Sequence, residues 1–511
     1  VNLPAASLEA GPASRLGLPA YPLTPGRPAD PAPPILLKLA RNESTLFLLE
    51  VNGAAPDRLQ VDTEGPQGAF QVWHLRPLPA HLPDGLYPDG LVPLGAGLSL
   101  PGAPAVLAVR VAIPPGHPAG VFRAAIKVTS PAGSAVQPLS LVVWRFTLPE
   151  DLPITLLANF RPVREWFRRY GLEAPADQVA VWEAYLRFLR RYKVNAIAGL
   201  PPLSPEAVSP NRPVTSFEDF TRLWQVAFQE LGYRRFRLPA ALGVKAQGSD
   251  SQRLQKQASV YFPEMRRFLE GQGMWSQALV KLWDEPPRRL FPQVAGVYRQ
   301  LKEAMPGLAL ECSGEAPSGD LTRVVDIWTV SARAYQAEAL AAARRQGQEL
   351  WLYHNRLHGA DRPPAHQRLI GWQVFCYDFS GYYLWGVNVW PEDPWTEPPG
   401  PAAKLRRGTF VYPHPRTGLP LPTLRLEAFH RGWQDYLHLA LLAQAAQQGR
   451  LSPAAWQQLR QQAGTLAGDL TNLQPQATWR DMEALRQKMG ELLDRAEEGG
   501  SSPTPWAKQL P

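Results

Sequence analysis

The sequence predicts a multidomain α/β protein: an N-terminal β-sandwich, a central (β/α)8 barrel of the triosephosphate isomerase type, and a C-terminal helical segment. Three observations lead there. Between residues 35 and 147, short β-rich runs are separated by turn chemistry such as Pro114-Pro115-Gly116 and Pro131-Ala132-Gly133. Between 154 and 387, eight apolar runs alternate with stretches of helical period. From 424 onward the pattern is helical.

Residues 1–34 are rich in Pro, Ala and Gly and read as an extended lead-in. The sandwich is expected over 35–150, with strands at 35–39, 45–51, 70–75, 105–113, 121–129 and 139–146. The pattern changes after Leu148-Pro149-Glu150-Asp151, and the barrel is expected over 151–447. Its strands fall at 154–160, 195–200, 236–242, 278–283, 308–312, 324–330, 349–353 and 381–387. Helices are expected at 178–192, 217–231, 252–270, 291–304, 332–345 and 365–379, with Ser331 placed to cap the fifth. A doubly wound open sheet is the competing fold, and the count of eight strands favours the barrel. An amphipathic helix over 424–447 closes the barrel. Residues 448–511 form a helical hairpin and tail: Ser452-Pro453 supplies a cap and a Pro at the first helical position, and Thr478-Trp479-Arg480-Asp481 opens a helix to about 498. The residues from Gly499 are expected to be loose.

Composition narrows the function classes. A chain of 511 residues exceeds one ordinary core, and 45% hydrophobic with 19% charged residues marks a globular protein. The net charge of +8 comes mostly from scattered Arg, with no Lys/Arg block, which argues against a nucleic-acid partner. No run is long enough to span a membrane. Cys312 and Cys376 are expected as free buried thiols. The first residue is Val1, compatible with removal of an N-terminal segment and, in that case, a secreted or periplasmic protein. His354 and His358 run into Gly359 and Pro363 rather than a sustained helix, and no His-Glu-x-x-His motif is present, so no metal is expected. No glycine-rich phosphate loop or Gly-x-Ser-x-Gly elbow calls for a cofactor or a serine nucleophile.

The candidate chemistry lies in Ala-Leu-Val-Lys-Leu-Trp-Asp-Glu-Pro, ending at Pro286. An apolar run at the fourth strand position stops in Trp283, Asp284 and Glu285. Paired carboxylates beside an aromatic are the parts of glycosidic bond cleavage, and in such barrels the C-terminal strand ends carry the site. Pro286 is expected to hold Glu285 extended. The competing reading is a helix start, since acids and prolines both suit a first turn.

A longer series of motifs bears on that choice. It runs Arg368-Leu369-Ile370-Gly371-Trp372-Gln373, then Gly381-Tyr382-Tyr383-Leu384-Trp385-Gly386-Val387-Asn388-Val389-Trp390, then Asp393-Pro394-Trp395. It continues in Val411-Tyr412-Pro413 and from Arg425 through Arg431-Gly432-Trp433-Gln434-Asp435-Tyr436. Ala40-Arg41-Asn42-Glu43 and Tyr87-Pro88-Asp89 precede it. On these residues the chain resembles glycoside hydrolase family 123 over most of 35–447. The resemblance implies a retaining exo-β-N-acetylgalactosaminidase working by substrate assistance on a carbohydrate. Asp284 would orient the 2-acetamido group, and Glu285 would be acid and then base. Trp283, Trp328, Tyr353, Trp385, Asn388 and Trp390 are expected around the sugar. Arg425, Glu427, Arg431 and Asp435 are expected in structural ion pairs. The chain departs from the family at Tyr353-His354-Asn355-Arg356-Leu357-His358, where members carry a Cys and a Pro, and at His430, where an Arg is more usual. The alternatives are a non-catalytic glycan-binding or structural barrel, or a hydrolase for another sugar.

Overall fold

The computed structural model describes residues 16–25, 33–52, 58–66, 68–79, 86–94, 105–160, 164–199, 217–238, 262–390, 393–397, 407–472 and 474–498. Nine strands build the front domain: β1 (Ala20–Leu23), β2 (Ile35–Arg41), β3 (Glu43–Val51), β4 (Gln60–Glu64), β5 (Phe70–Pro79), β6 (Leu86–Pro93), β7 (Ala105–Ile113), β8 (Gly120–Ser130) and β9 (Gly133–Thr147). They form two sheets, ordered β1-β3-β7-β5-β6 and β2-β9-β8-β4. Strand alternation supplies the core between them: Leu107, Val109, Val111 and Ile113 of β7 meet Ile126, Val128, Leu139 and Leu141 of the other sheet. Most pairings are antiparallel, as the short strands and tight turns predict, but β1–β3 and β2–β9 are parallel. Three strands escape the hydrophobic pattern. β1 lies inside the proline-rich lead-in, β4 is a largely exposed polar strand, and β6 carries two prolines and a glycine. The chain crosses between the sheets at Asn42, whose φ of 58° is a left-handed conformation that Asn tolerates better than most residues. Its side-chain amide donates to the Leu148 carbonyl at 2.9 Å.

Eight parallel strands close the barrel: β10 (Thr155–Asn159), β11 (Ala196–Ala198), β12 (Arg235–Arg237), β13 (Ala278–Val280), β14 (Ala309–Gly314), β15 (Ile327–Ser331), β16 (Glu349–Tyr353) and β17 (Gly381–Leu384). This excludes the open doubly wound sheet. Period-two alternation sorts the side chains. Leu157, Ala196, Ala198, Leu279, Ile327, Trp351, Tyr353 and Tyr383 cluster inside, while Leu156, Ile197, Phe236, Val280, Leu310, Trp328 and Leu352 join the layer beneath the helices. Gly381 leaves room for the Trp351 indole; a Cβ there would overlap the ring.

Helices Phe291–Ala304 and Leu424–Gln447 fall where periodicity places them. The stretch 217–231 is an α-helix only over Phe217–Trp224 and continues as a π-helical turn, Gln225–Glu230. The helix expected after Ser331 begins later. A 3₁₀ turn, Ala332–Ala334, comes first, then Ala337–Arg345, and the Ser331 side chain makes no capping bond. The expectations for 239–242, 252–261 and the tail from Gly499 lie outside the described residues. Cys312 is buried and Cys376 half-buried, both as free thiols.

Helix Leu424–Gln447 is not the amphipathic helix expected. It is buried on nearly every side from Leu424 to Leu439. The cause is its position between the barrel, the sandwich and the last two helices, Pro453–Ala467 and Trp479–Glu498. Its charged residues pair outward rather than with one another. Arg425 donates to Asp89 of β6 at 3.0 and 2.7 Å, and Glu427 accepts from the Tyr192 hydroxyl at 2.6 Å. Arg431 donates to Glu43 of β3 at 2.7 Å, and Asp435 accepts from Arg368 at 2.7 and 3.1 Å. Buried charges of this kind are tolerated only when paired and hydrogen-bonded. The last helix is opened by reciprocal bonds between Thr478 and Asp481 and packs on the sandwich, with Gly490 against the Trp144 ring.

Helix Pro364–Cys376 crosses the long helix so closely that a Cβ on Gly371 would overlap the Gly432 carbonyl, and one on Gly432 the Arg368 carbonyl. Backbone cannot move aside as a flexible side chain can. Gly432→Ala is therefore expected to cost about 3 kcal/mol, read as a lowered denaturant midpoint with unchanged slope. A loss under about 0.5 kcal/mol would show that the crossing relaxes.

Candidate active site

The C-terminal strand ends surround a cavity of about 270 Å³ lined by Asn159, Asp284, Glu285, Ser313, Tyr353, Asn355, Tyr383, Trp385, Gly386, Asn388 and Val389. Strand β13 stops at Val280, and the inward phase continues to Lys281. Leu282 and Trp283 then turn into the core under the helices. Asp284 and Glu285 emerge at the mouth, three and four residues after Lys281. The 3₁₀ turn Arg288–Leu290 and helix Phe291–Ala304 begin only beyond Pro287, so the acids are not part of a helix's first turn.

Glu285 is not extended. Its φ is 48°, a left-handed conformation that costs a non-glycine residue on the order of 1–3 kcal/mol. The Glu285 amide donates to Ser313 Oγ at 3.2 Å. Gly314 faces the same backbone, and an added Cβ would lie 3.2 Å from the Glu285 Cα. On a regular strand two successive side chains diverge. Here the left-handed turn lets both carboxylates line one cavity.

The two acids have different partners. Asp284 Oδ1 accepts from Lys281 Nζ at 2.6 Å and from Ser313 Oγ at 3.1 Å. Partial burial pushes the Asp284 carboxyl up, but the Lys281 ammonium, Ser313 and the Arg237 guanidinium together hold it below its ordinary value. Its side chain stays 57% exposed, so the ionised group is open to a ligand. Glu285 Oε1 instead accepts from the Tyr353 hydroxyl. Burial and then that bond push the Tyr353 pKa up, keeping the phenol a proton-bearing donor. Below the cavity, Arg237 forms a buried two-point pair with Glu311 at 2.8 and 2.6 Å, and Thr329 donates to the same carboxylate at 2.7 Å. Arg237 and Lys281 both sit over the Tyr383 ring, at 4.2 and 5.1 Å from its centroid. Arg237, neutralised by Glu311, and Lys281, paired with Asp284, thus line the lumen beneath the cavity.

Of the expected sugar-facing residues, Tyr353, Trp385 and Asn388 line the cavity. Trp283, Trp328 and Trp390 do not. Trp283 packs beneath the helices because the chain turns inward just before the acids. Trp328 occupies an outward position of β15, packs near Phe291 and donates to Gln348 at 3.1 Å. Trp390 packs on Trp166 at 5.6 Å and donates to the Val411 carbonyl at 2.7 Å. Asn159, Lys281, Ser313, Asn355 and Tyr383 escaped the sequence reading. Lys281 had a legible signal, a lone cation in an apolar strand run, and the inward phase of each strand would have indicated Asn159, Ser313 and Tyr383. His354 and His358 are buried, with His358 hydrogen-bonded to the Tyr382 hydroxyl at 2.6 Å. Burial lowers the His354 pKa to about 4, so it is neutral near pH 7. Among the described residues no group of three or more His, Cys, Asp or Glu converges as metal ligands would. A larger hollow of about 660 Å³ lies between Ile154, Glu349, Ser380 and Tyr436, at the opposite strand ends, away from the paired acids.

Comparison with known proteins finds likenesses to glycoside hydrolases. Residues 243–442 match the family model described as glycoside hydrolase 123, catalytic domain. A family 123 glycoside hydrolase from Clostridium perfringens, solved in a study of glycolipid glycan hydrolysis, aligns with a TM-score of 0.70 at 12% identity, over 91% of this chain and 95% of that one. A GH2 β-galacturonidase from Eisenbergiella tayi aligns at 11% identity over 76% and 69% of the two chains with a TM-score of 0.36. A GH10 xylanase from Thermobacillus composti aligns at 11% identity over 55% and 97% with a TM-score of 0.33. None of the curated proteins matches the sequence.

Proposed function

From the match of residues 243–442 to the glycoside hydrolase 123 catalytic-domain model, we propose that the chain removes terminal β-linked N-acetylgalactosamine with retention, by substrate assistance. The observation that carries this reading is the pair Asp284–Glu285 in one cavity with unlike partners. A double displacement needs its two carboxylates on opposite sides of the anomeric carbon. Adjacent residues at one strand end suit another division of work. Asp284, kept ionised by Lys281 and Ser313, orients the acetamido N–H and stabilises the positive charge that develops on it. The acetamido oxygen attacks the anomeric carbon and the glycosidic bond breaks. Glu285 gives its proton to the leaving oxygen, then takes one from the water that opens the bicyclic oxazolinium ion. Tyr353 holds Glu285 until the sugar enters and then has a hydroxyl to offer the acetamido oxygen. Trp385 provides an apolar face beside the ring and Asn388 a polar group for its hydroxyls.

The test is a panel of nitrophenyl glycosides. Release of nitrophenol is expected from the β-N-acetylgalactosaminide and inhibition by the matching thiazoline, a mimic of the bicyclic intermediate. Turnover of glycosides that lack a 2-acetamido group, with indifference to the thiazoline, would overturn substrate assistance.

The charge on Asp284 also sets a pH dependence. Its pKa is lowered by the Lys281 ammonium among other groups, so acid protonates it later than an ordinary carboxyl. Lys281→Met removes that cation, the pKa rises, and the acid limb of the kcat/KM profile is expected to move to higher pH. An unmoved acid limb would mean that Asp284 does not have to be ionised.

A further inference from the structure

Among the described residues, the arginines at the rim of the cavity are not matched by acids. Arg333 lies in the 3₁₀ turn Ala332–Ala334 that follows β15. Arg356 follows Asn355, which lines the cavity just beyond β16. Arg407 precedes Gly408, where an added Cβ would lie 2.8 Å from the ring of cavity-lining Trp385. Arg362 lies in the loop between β16 and helix Pro364–Cys376 and has Asp361 at 3.4 Å. These groups sense one another: slight burial, then Arg333, Arg407 and Arg362, push the Arg356 pKa below its usual value. Among the described residues Arg333, Arg356 and Arg407 make no ion pair, and the Arg407 Nε is buried without a partner. Two other arginines at this end of the molecule are neutralised, Arg288 by Glu315 at 3.3 Å and Arg169 by Asp393 at 2.6 Å.

Like charges held together without a counter-charge repel, and guanidinium groups match the oxyanions of sulfate and carboxylate in charge and fork geometry. The cavity is small, so these arginines stand outside the ring that Asp284 and Glu285 address. We propose that the Arg333–Arg356–Arg407 rim binds an anionic substituent of the glycan, a sulfate ester or a carboxylate next to the cleaved bond, and makes acidic glycans the preferred substrates. The inference rests on the hydrolase reading above. It also answers an electrostatic difficulty, since the two carboxylates in the cavity repel an anionic substrate unless cations flank its path.

Two matched pairs separate the sources of the anion. The first is nitrophenyl β-N-acetylgalactosaminide with and without a 6-sulfate. The second is a disaccharide in which N-acetylgalactosamine is β-linked to glucuronate or to glucose. In at least one pair, kcat/KM at low salt is expected to favour the anionic member by about tenfold or more, with the preference shrinking in high salt. Arg333→Gln combined with Arg356→Gln is expected to bring that ratio close to one, with an unchanged thermal midpoint showing that the fold persists. A ratio at or below one in both pairs, or one that survives the double substitution, overturns the proposal and leaves the hydrolase reading standing. If no glycoside is turned over, the hydrolase reading falls, and calorimetry decides the rim by itself. N-acetylgalactosamine 6-sulfate is expected to bind in a salt-sensitive way and the unsulfated sugar more weakly, whereas equal or absent binding of the two overturns the anion site.

Discussion

Glu285→Gln is expected to lower kcat/KM for an oligosaccharide by about 10²–10⁴-fold, the usual worth of a positioned general acid and base. The amide keeps the shape of the carboxyl and still meets the Tyr353 hydroxyl, so the loss belongs to proton transfer rather than to fold. Two further measurements sharpen the expectation. A nitrophenyl leaving group needs little protonation, and turnover of that substrate is expected to recover in the first step. Added azide is expected to recover the second step by replacing the water that Glu285 activates, and to give a β-linked product. Full activity of the variant on an oligosaccharide would transfer the acid role to another residue of the cavity.

Glu43→Gln is expected to destabilise the protein by about 3–5 kcal/mol, the scale of breaking a buried ion pair by removing one partner. Glu43 is fully buried, with Arg431 Nη1 at 2.7 Å, Arg486 Nε at 2.8 Å and the Ala40 amide at 2.7 Å. It therefore ties sandwich strand β3 to the long helix and to the last helix at one point, and its loss leaves two guanidinium groups buried beside Glu483 alone. Burial pushes the Glu43 carboxyl up, but Arg486, His438 and Arg431 hold it below its ordinary value of 4.5. The folded pKa is thus lower than the unfolded one, and the contribution is present above about pH 4.5 and lost as the pH falls through the folded value. Denaturant melts are expected to show this acid loss in the wild type and a flatter profile in the variant. A destabilisation under about 1 kcal/mol would mean that the sandwich is held by its apolar contacts and not by this charge.

These two sites show how unevenly function and architecture were legible. Within the motif series on which the family resemblance stood, only the stretch 381–390 lines the cavity, through Tyr383, Trp385, Gly386, Asn388 and Val389. Arg425, Arg431 and Asp435 hold Asp89, Glu43 and Arg368. Gly371 and Gly432 permit one helix crossing. Asn42 turns the chain between two sheets. The rest of the series is a record of how the sandwich, barrel and long helix are joined. Trp328 and Trp390 looked like sugar platforms because aromatics suit both pyranose faces and protein cores, and composition cannot separate the two uses.

By itself the sequence determined what depends on local pattern. Strand periodicity, helix caps at Ser452 and Thr478, and the alternation of eight apolar runs were sufficient for the sandwich, the barrel and the final helices. They also placed Asp284 and Glu285 at the end of the fourth barrel strand. Only the tertiary structure decided which side chains meet. The left-handed turn at Glu285, the Lys281–Asp284 pair, the Tyr353–Glu285 bond and the Glu43 hub all join residues whose nearness, orientation or burial comes from closure of the barrel and docking of the sandwich. Local propensity acts over a few residues, whereas a shared cavity or a buried charge exists only after distant segments have excluded the water between them.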